Sequence, residues 1–402
     1  MSFTSFHTLP TEQRGWIYIF TLYSLCFLLH KALPPYTTTT GYVCDCRTKL
    51  PLEYRYNGFY TLLTVLFGLY YLSTRGLFDP HDYYQCYWPM CRAAFTLGLS
   101  VSLYLYFRGT ALVRQGLVDR GSSCLTVNSP RSRAAKATQE FDKRSTLEHF
   151  YCGIEWNPKI FNVDIKMFNY LVGAVALACN VLAAAATHAA NRPTGMSNAM
   201  WAYLIPMGWF LCEYMWFENV HVYTYDIFRE RTGLKMVWGC FFFYPFFYCI
   251  GVWSIVQHFT VPNAADVSPA VATGCVVLFF MGWALTRGAN LQKFGWRHNK
   301  APMFLGRANE TVVGSKGRLL VSGFWGLARH INYTGEIIQG LSLALPGYLV
   351  SGSFLPFLYP VYYVLLFVGR DQDDDKSCQE KYGKAWDKYV AMVPYRMVPG
   401  IY

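Results

Sequence analysis

Leu319-Leu320-Val321-Ser322-Gly323-Phe324-Trp325-Gly326-Leu327-Ala328-Arg329-His330-Ile331-Asn332-Tyr333 lies between apolar segments at 268–286 and 335–350. Arg, His, Asn and Tyr beside hydrophobic spans are costly unless they face a cavity or a ligand, so the stretch reads as a site held at a membrane boundary. Working outward, runs near the roughly 17–25 apolar residues that cross a bilayer occur at 16–33, 57–73, 88–107, 168–188, 197–216, 236–258 and 268–286. Two shorter runs, 335–350 and 353–369, are interrupted by Gly and Pro. The chain is 53% hydrophobic and 15% charged, against about 25% charged for a soluble domain. Trp16, Trp88, Trp201, Trp216 and Trp283 fall near span ends, where amphipathic rings settle at the headgroup level. The expected fold is all-α, a polytopic integral membrane protein with about 9–10 transmembrane helices.

A net charge of +11 suggests nucleic acid until its distribution is read. Loops 34–56, 108–167, 217–235 and 287–319 hold 23 Lys and Arg, whereas the alternate loops hold Arg14, Arg75 and Arg192 alone. That asymmetry is the positive-inside signature, which makes the first set cytosolic and argues for a bilayer rather than nucleic acid as partner. Segment 16–33 lacks a small-residue cleavage site after it and reads as a retained first span. Of the 13 Cys, many lie inside spans, where Cys behaves as a small apolar residue. Cys44-Asp45-Cys46 has no partner cluster, so no metal site is expected.

Four constellations carry possible chemistry. Arg287-Gly-Ala-Asn-Leu-Gln-Lys293-Phe-Gly-Trp-Arg297 closes a span, and Lys293 and Arg297 at i, i+4 share a helical face. Such a pair serves either positive-inside anchoring or capture of a phosphate ester. Trp325, Arg329, His330, Asn332, Tyr333 and Glu336 follow, with Arg329, Tyr333 and Glu336 spaced for one helical face. Arg370-Asp371-Gln372-Asp373-Asp374-Asp375, then Cys378, Lys381-Tyr382-Gly383 and Trp386, reads either as a solvated acidic turn capping the terminal helix or as cofactor contacts. The fourth runs Trp216-Phe217-Glu218, Tyr223-Thr224-Tyr225-Asp226, and Tyr244 to Tyr248. Carboxylates buried near apolar spans have raised pKa values, which suits Glu218 and Asp226 to acid chemistry.

These segments resemble those of the sterol reductases, membrane enzymes that reduce C14, C7 or C24 double bonds of sterol precursors with NADPH. The resemblance extends to Gly153, Glu155, Asn157, Pro158, Ile160, Asp164, Lys166 and Phe168, which also read as an interfacial connector with a snorkelling Lys. It implies an NADPH pocket facing the cytosol, built by Lys293, Arg297, Trp325, Arg329, His330, Asn332, Tyr333, Glu336, Arg370, Asp374 and Tyr382. On this reading, 287–402 is the cofactor and catalytic region, and 1–286 is a transmembrane region with cytosolic loop 108–167 and part of the sterol pocket. The chain departs from the family pattern at Cys240, Glu336 and Asp373. No Gly-rich dinucleotide fingerprint is evident, and the resemblance calls for none.

An isolated alkene accepts hydride only after protonation to a tertiary carbocation. The acid must be strong for that task, so Glu218 or Asp226 is the expected donor, with Tyr223 or Tyr248 as relay. Tyr54-Arg55-Tyr56-Asn57-Gly58 resembles the C14 and C7 reductases and puts C14 first; Ile331-Asn332-Tyr333-Thr334-Gly335 keeps C24 open. Two rivals stand beside this: an isoprenylcysteine-type methyltransferase, which shares an Arg-His-x-x-Tyr, and a non-catalytic sterol-binding scaffold. The endoplasmic reticulum membrane is the implied location, with no retrieval signal in Val398–Tyr402.

Overall fold

The computed structural model describes residues 6–44, 50–118, 139–192, 194–222, 227, 230–298, 302–314 and 317–402. Helices dominate. Those of nine residues or more are, in order, α1 (Thr11–Ala32), α2 (Gly58–Thr74), α3 (Tyr87–Arg114), α4 (Ile165–Asn191), α5 (Asn198–Trp216), α6 (Leu234–His258), α7 (Pro269–His298), α8 (Ile331–Ser351), α9 (Leu358–Tyr382) and α10 (Lys384–Met392). Helices α1, α3, α4, α6 and α7 are long and apolar enough to cross a bilayer, and α2 is a shorter apolar helix. The protein is an all-α polytopic membrane protein, and each of the nine apolar runs read from the sequence falls on one of α1 to α9. The only strands among the described residues form two-stranded antiparallel hairpins, the longest of them β1 (Thr37–Cys44) with β2 (Pro51–Tyr56).

The chain divides into two compact units, residues 1–190 with 208–249, and residues 191–207 with 250–402. In the first unit α1 lies along α3, close enough that a Cβ at Gly15 would come within 2.3 Å of the Pro89 side chain. Arg14 pairs with Asp82 at 3.1 Å, and Tyr18 donates to the same carboxylate at 2.7 Å. Helix α6 is interrupted by a π-helical turn at Gly239–Phe243. The displaced backbone is satisfied locally: Tyr23 donates to Phe241 O, Tyr87 to Phe246 O, and Asn180 to Pro245 O. In a hydrocarbon setting such freed carbonyls must find donors within the protein.

The segment 153–168 is a clamp. Asp164 Oδ1 accepts the N–H groups of Lys166 and Met167 at 2.9 and 3.1 Å, and Oδ2 accepts from Asn157 at 3.0 Å. Glu155 pairs with Arg108 at 3.3 Å. Lys166 does not snorkel: it is fully buried and donates to Ile227 O and Glu230 O at 3.0 and 2.7 Å. Two convergent carbonyls replace the water that a snorkelling ammonium would seek.

In the second unit α7 and α8 cross closely because small residues face one another. A Cβ at Gly335 would lie 2.3 Å from Thr286 Oγ1, and one at Gly282 would lie 2.7 Å from Gly335 O. Gln339 donates to Thr286 Oγ1 at 3.2 Å, and Thr286 donates to Asn332 O at 3.1 Å, so polar groups at the crossing are used. Gly352, at φ +67°, ends α8 in the left-handed region that glycine tolerates. Helix α9 then runs without a breaker to Gly383, so Arg370 to Cys378 lie in the helix body rather than in an acidic turn. A hairpin of β3 (Thr311–Gly314) and β4 (Gly317–Leu320) covers α10, where Val312 packs with Tyr382, Trp386, Tyr389 and Val393.

Candidate active site

Helix α7 continues past its apolar run to His298 and so carries Lys293 and Arg297 one turn apart. Lys293 Nζ sits 4.4 Å from the centre of the Trp325 ring. Trp325 is buried and donates through Nε1 to Ala289 O at 2.8 Å, which fixes it as a floor beneath that cation. The intervening Gln292 is 2% exposed and ties the following loop to α7. It donates to Asn309 Oδ1 and Ser322 O at 3.0 Å each and accepts from Phe324 N at 3.0 Å. Neither Lys293 nor Arg297 forms an ion pair with a carboxylate among the described residues, and Arg297 is exposed. Two adjacent unpaired cations make an anion receptor.

The Gly323–Gly326 turn and the two residues before Ile331 are not α-helical. Arg329 therefore precedes α8 and does not share a helical face with Tyr333 and Glu336, contrary to the spacing argument. Its buried guanidinium donates to Val393 O and Pro394 O at 3.2 Å each. Two backbone bonds continue this seam, Arg329 N to Tyr395 O at 3.0 Å and His330 N to Arg396 O at 2.7 Å. His330, Tyr333 and Phe367 form a parallel stack, with centroids 4.9 and 4.4 Å apart. Tyr333 points its hydroxyl at Asp374 Oδ2, 3.5 Å away. Asn332 Oδ1 is shielded from solvent and has no hydrogen-bond partner in the described residues, as a ligand-facing amide would. Glu336 and Arg370 are half-buried on α8 and α9.

Two features were not anticipated from sequence. The first is a carboxylate centre at Asp371, 1% exposed, which meets His330 Nε2 at 3.3 Å, Arg396 at 2.7 Å and the Tyr402 hydroxyl at 3.3 Å. Arg396 lies in the Val-Pro-Tyr-Arg sequence near the chain's end, a signal available from the sequence but with nothing there to name its partner. The second is a cavity of about 460 Å³ between the β3–β4 hairpin and the α9–α10 junction, lined by Val313, Tyr382, Lys381, Lys384 and Lys388 among others. That volume falls within the range of small-molecule sites. Tyr382 faces it from the core cluster, with Lys381 over its ring at 4.6 Å.

In the first unit, Glu218 is 3% exposed and its Oε2 accepts from Gly58 N at 2.8 Å, at the start of α2. Burial pushes its carboxyl up to about 7, opposed by the Gly58 and Tyr36 hydrogen bonds. A Cβ at position 58 would come within 2.3 Å of Glu218 Oε1, so glycine there is what lets the carboxyl approach. The tyrosine on this acid is Tyr36, at 3.4 Å, rather than either tyrosine named from sequence. Tyr223 and Asp226 lie outside the described residues. Tyr248 is half-buried with its ring edge-on to Tyr244 at 4.7 Å. The Asn-Gly of the 54–58 segment and Glu218 thus belong to one cluster, which Asn57 extends by donating to His30 O and Leu33 O at 2.9 Å each.

The profile of the ergosterol biosynthesis ERG4/ERG24 family matches residues 2–402. The chain is 27% identical to a delta(14)-sterol reductase of Arabidopsis thaliana over 98% of this chain and 97% of that protein. It is 28% identical to a delta(14)-sterol reductase of Methylotuvimicrobium alcaliphilum over 95% of this chain and 82% of the relative. A probable 7-dehydrocholesterol reductase of Acanthamoeba polyphaga mimivirus is 33% identical over 65% of this chain and 58% of its own. With the family profile spanning essentially its whole length, the chain belongs to the ERG4/ERG24 family of sterol reductases.

Proposed function

We propose that this protein reduces the C14=C15 double bond of a sterol, using NADPH, in the endoplasmic reticulum membrane. The observation that carries the cofactor reading is the Lys293–Arg297 pair, two cations one helical turn apart, neither in a salt bridge among the described residues, with Asp374 the one carboxylate whose charge reaches Lys293. Such a pair matches a phosphate monoester such as the one that distinguishes NADPH from NADH. The unsatisfied Asn332 Oδ1 suits an amide or hydroxyl donor of the same molecule. NADPH, when bound, supplies the hydride. The excess of Lys and Arg in loop 287–319 supports a cytosolic side for this face, where the cofactor is available.

Lys293 and Arg297 hold the phosphate. His330, Asn332 and Tyr333 orient the nucleotide, with Glu336, Arg370, Asp374 and Tyr382 completing the contacts, while Arg329 orders the segment that backs them. Glu218 gives its proton to the alkene carbon and leaves a tertiary cation for the hydride to quench. It then regains a proton from water, so one proton and one hydride are consumed per double bond. A carboxyl titrating near 7 holds that proton at cytosolic pH without binding it too tightly to release. Tyr36 is placed to relay it. Region 287–402 then carries the cofactor chemistry, and 1–286 carries the acid and part of the sterol pocket.

The C14 assignment rests on the names of two relatives matched over most of their length. It is tested with protein in lipid nanodiscs given NADPH and, separately, sterols unsaturated at C14, C7 or C24, with products read by mass spectrometry. Loss of the C14 double bond alone is the expected result. Reduction at C7 or C24 instead moves the bond and keeps the chemistry. Sterol binding without NADPH consumption would establish a non-catalytic scaffold.

A further inference from the structure

Asp371 accepts two hydrogen bonds and sets its other oxygen against a third group, and this arrangement constrains a residue beyond itself. Its Oδ2 takes Arg396 Nη1 at 2.7 Å and the Tyr402 hydroxyl at 3.3 Å, while Oδ1 faces His330 Nε2 at 3.3 Å. Arg396 is braced in turn by Asp375 at 3.2 Å. Its backbone is fixed too: Arg396 O accepts His330 N at 2.7 Å, and the N–H groups of Arg396, Met397 and Val398 all reach Tyr402 O. Thr334 closes the segment against α8 by donating to Met397 O at 2.6 Å. The imidazole plane is set separately, by the parallel stack on Tyr333 and Phe367.

We propose that Arg396 is a positioning residue that, through Asp371, holds His330 as the neutral imidazole with its proton on Nε2 and Nδ1 free to accept a hydrogen bond from the nucleotide. Arg396 and Tyr402 both donate to Oδ2, and with Oδ1 left bare 3.3 Å from Nε2 a proton on Nε2 faces an acceptor, whereas a lone pair there would face another lone pair. The neutral ring then has its lone pair on Nδ1, which has no partner among the described residues. The group suited to that lone pair is an N–H or O–H donor, such as the carboxamide or a ribose hydroxyl of a dihydronicotinamide nucleotide. That ligand assignment rests on the NADPH reading above.

The charges facing His330 come from four elements: Lys293 on α7, Arg329 in the preceding turn, Asp371 on α9, and Arg396 in the final segment. Tyr333 on its own helix stacks on the ring, and Tyr402 acts through Asp371. Burial lowers its proton affinity first, the three cations lower it further, and Asp371 alone opposes them. Removing Arg396 deletes one of those cations and leaves the Asp371 charge to His330. The sign is therefore upward: His330 in Arg396→Gln protonates at higher pH than in the parent protein.

The test observes the histidine directly. With ¹⁵N-histidine label in nanodiscs and the His330 signal assigned by its loss in His330→Gln, the parent should show the Nε2–H neutral form from pH 8 to below pH 6. In Arg396→Gln the midpoint should rise by about 1–2 pH units, the size of effect expected from one close charge. Arg396→Lys should restore most of the parent behaviour. Tyr402→Phe is a milder variant should Arg396→Gln fail to fold, with a smaller shift of the same sign. Unchanged titration in the variants that fold, or an Nδ1–H tautomer in the parent, would overturn the proposal whether or not NADPH binds. NADPH fluorescence separates the two readings. Binding that weakens about tenfold per pH unit below the new midpoint supports the Nδ1 contact; binding by both proteins without that pH dependence removes the contact; no binding by the parent removes the cofactor reading alone.

Discussion

Glu218 in the first unit and Asp371 in the second are both nearly inaccessible carboxyl groups, 3% and 1% exposed, yet their surroundings differ in kind. Glu218 has a backbone N–H and a distant tyrosine hydroxyl and no paired cation among the described residues. Asp371 has a guanidinium, an imidazole and a hydroxyl. Burial without a counter-charge drives a carboxyl toward its neutral form, a proton source; burial with one makes a fixed negative post on which other groups are oriented. Depth alone does not tell an acid from a scaffold, and the neighbours do.

The largest test of this contrast removes the acid. Glu218→Gln keeps the shape and the Gly58 contact but has no proton to give, so turnover should fall at least about 10²-fold while sterol binding persists. In the parent, the rate should decline as pH rises through about 7, because the protonated form is the active one and it is depleted above its pKa. A Gln variant that keeps parent turnover would show that Glu218 only caps α2.

Next in size is the clamp at Lys166. Leaving a buried acceptor unsatisfied costs about 1–3 kcal/mol, and Lys166→Met strips the donor from two carbonyls at once, so it should lower the thermal unfolding midpoint of nanodisc-embedded protein. A Met variant as stable as the parent would mean that the two carbonyls at 227 and 230 find other donors. Arg297→Ala should raise the KM for NADPH by about 10–100-fold, the equivalent of about 1.5–3 kcal/mol for a charged hydrogen bond. The KM for NADH should barely move, and a parallel loss for both nucleotides would remove the phosphate assignment. Asp373→Arg, at an exposed position on α9, should change unfolding by no more than about 0.5 kcal/mol. A large effect would mark a partner at that face.

Legibility followed the range of the physics involved. The apolar runs were readable because a long apolar stretch has one good environment; α1 to α9 fall where those runs lie, and five of these helices are long and apolar enough to cross a bilayer. Lys293 and Arg297 were readable because a helix leaving the membrane puts i and i+4 on one side, a local rule. Helical spacing predicts Arg329 on the face of Tyr333 and Glu336, but Arg329 lies in a turn before α8 begins. The acidic run at 370–375 reads as a solvated acidic turn or as cofactor contacts, and α9 removes the turn by continuing without a breaker to Gly383.

What the sequence determined by itself was the membrane architecture, the family and the residue types at the site, all of which depend on composition and short-range order. Only the tertiary structure decided that Gly58 and Glu218, 160 residues apart, share a hydrogen bond, and that Arg396 reaches Asp371 across 25 residues to brace His330. Hydrogen bonds and ion pairs act over about 3 Å, and a chain segment carries no mark of which distant segment will supply the partner. That choice belongs to the packing of the helices, which brings the groups together and excludes the water that would otherwise satisfy them.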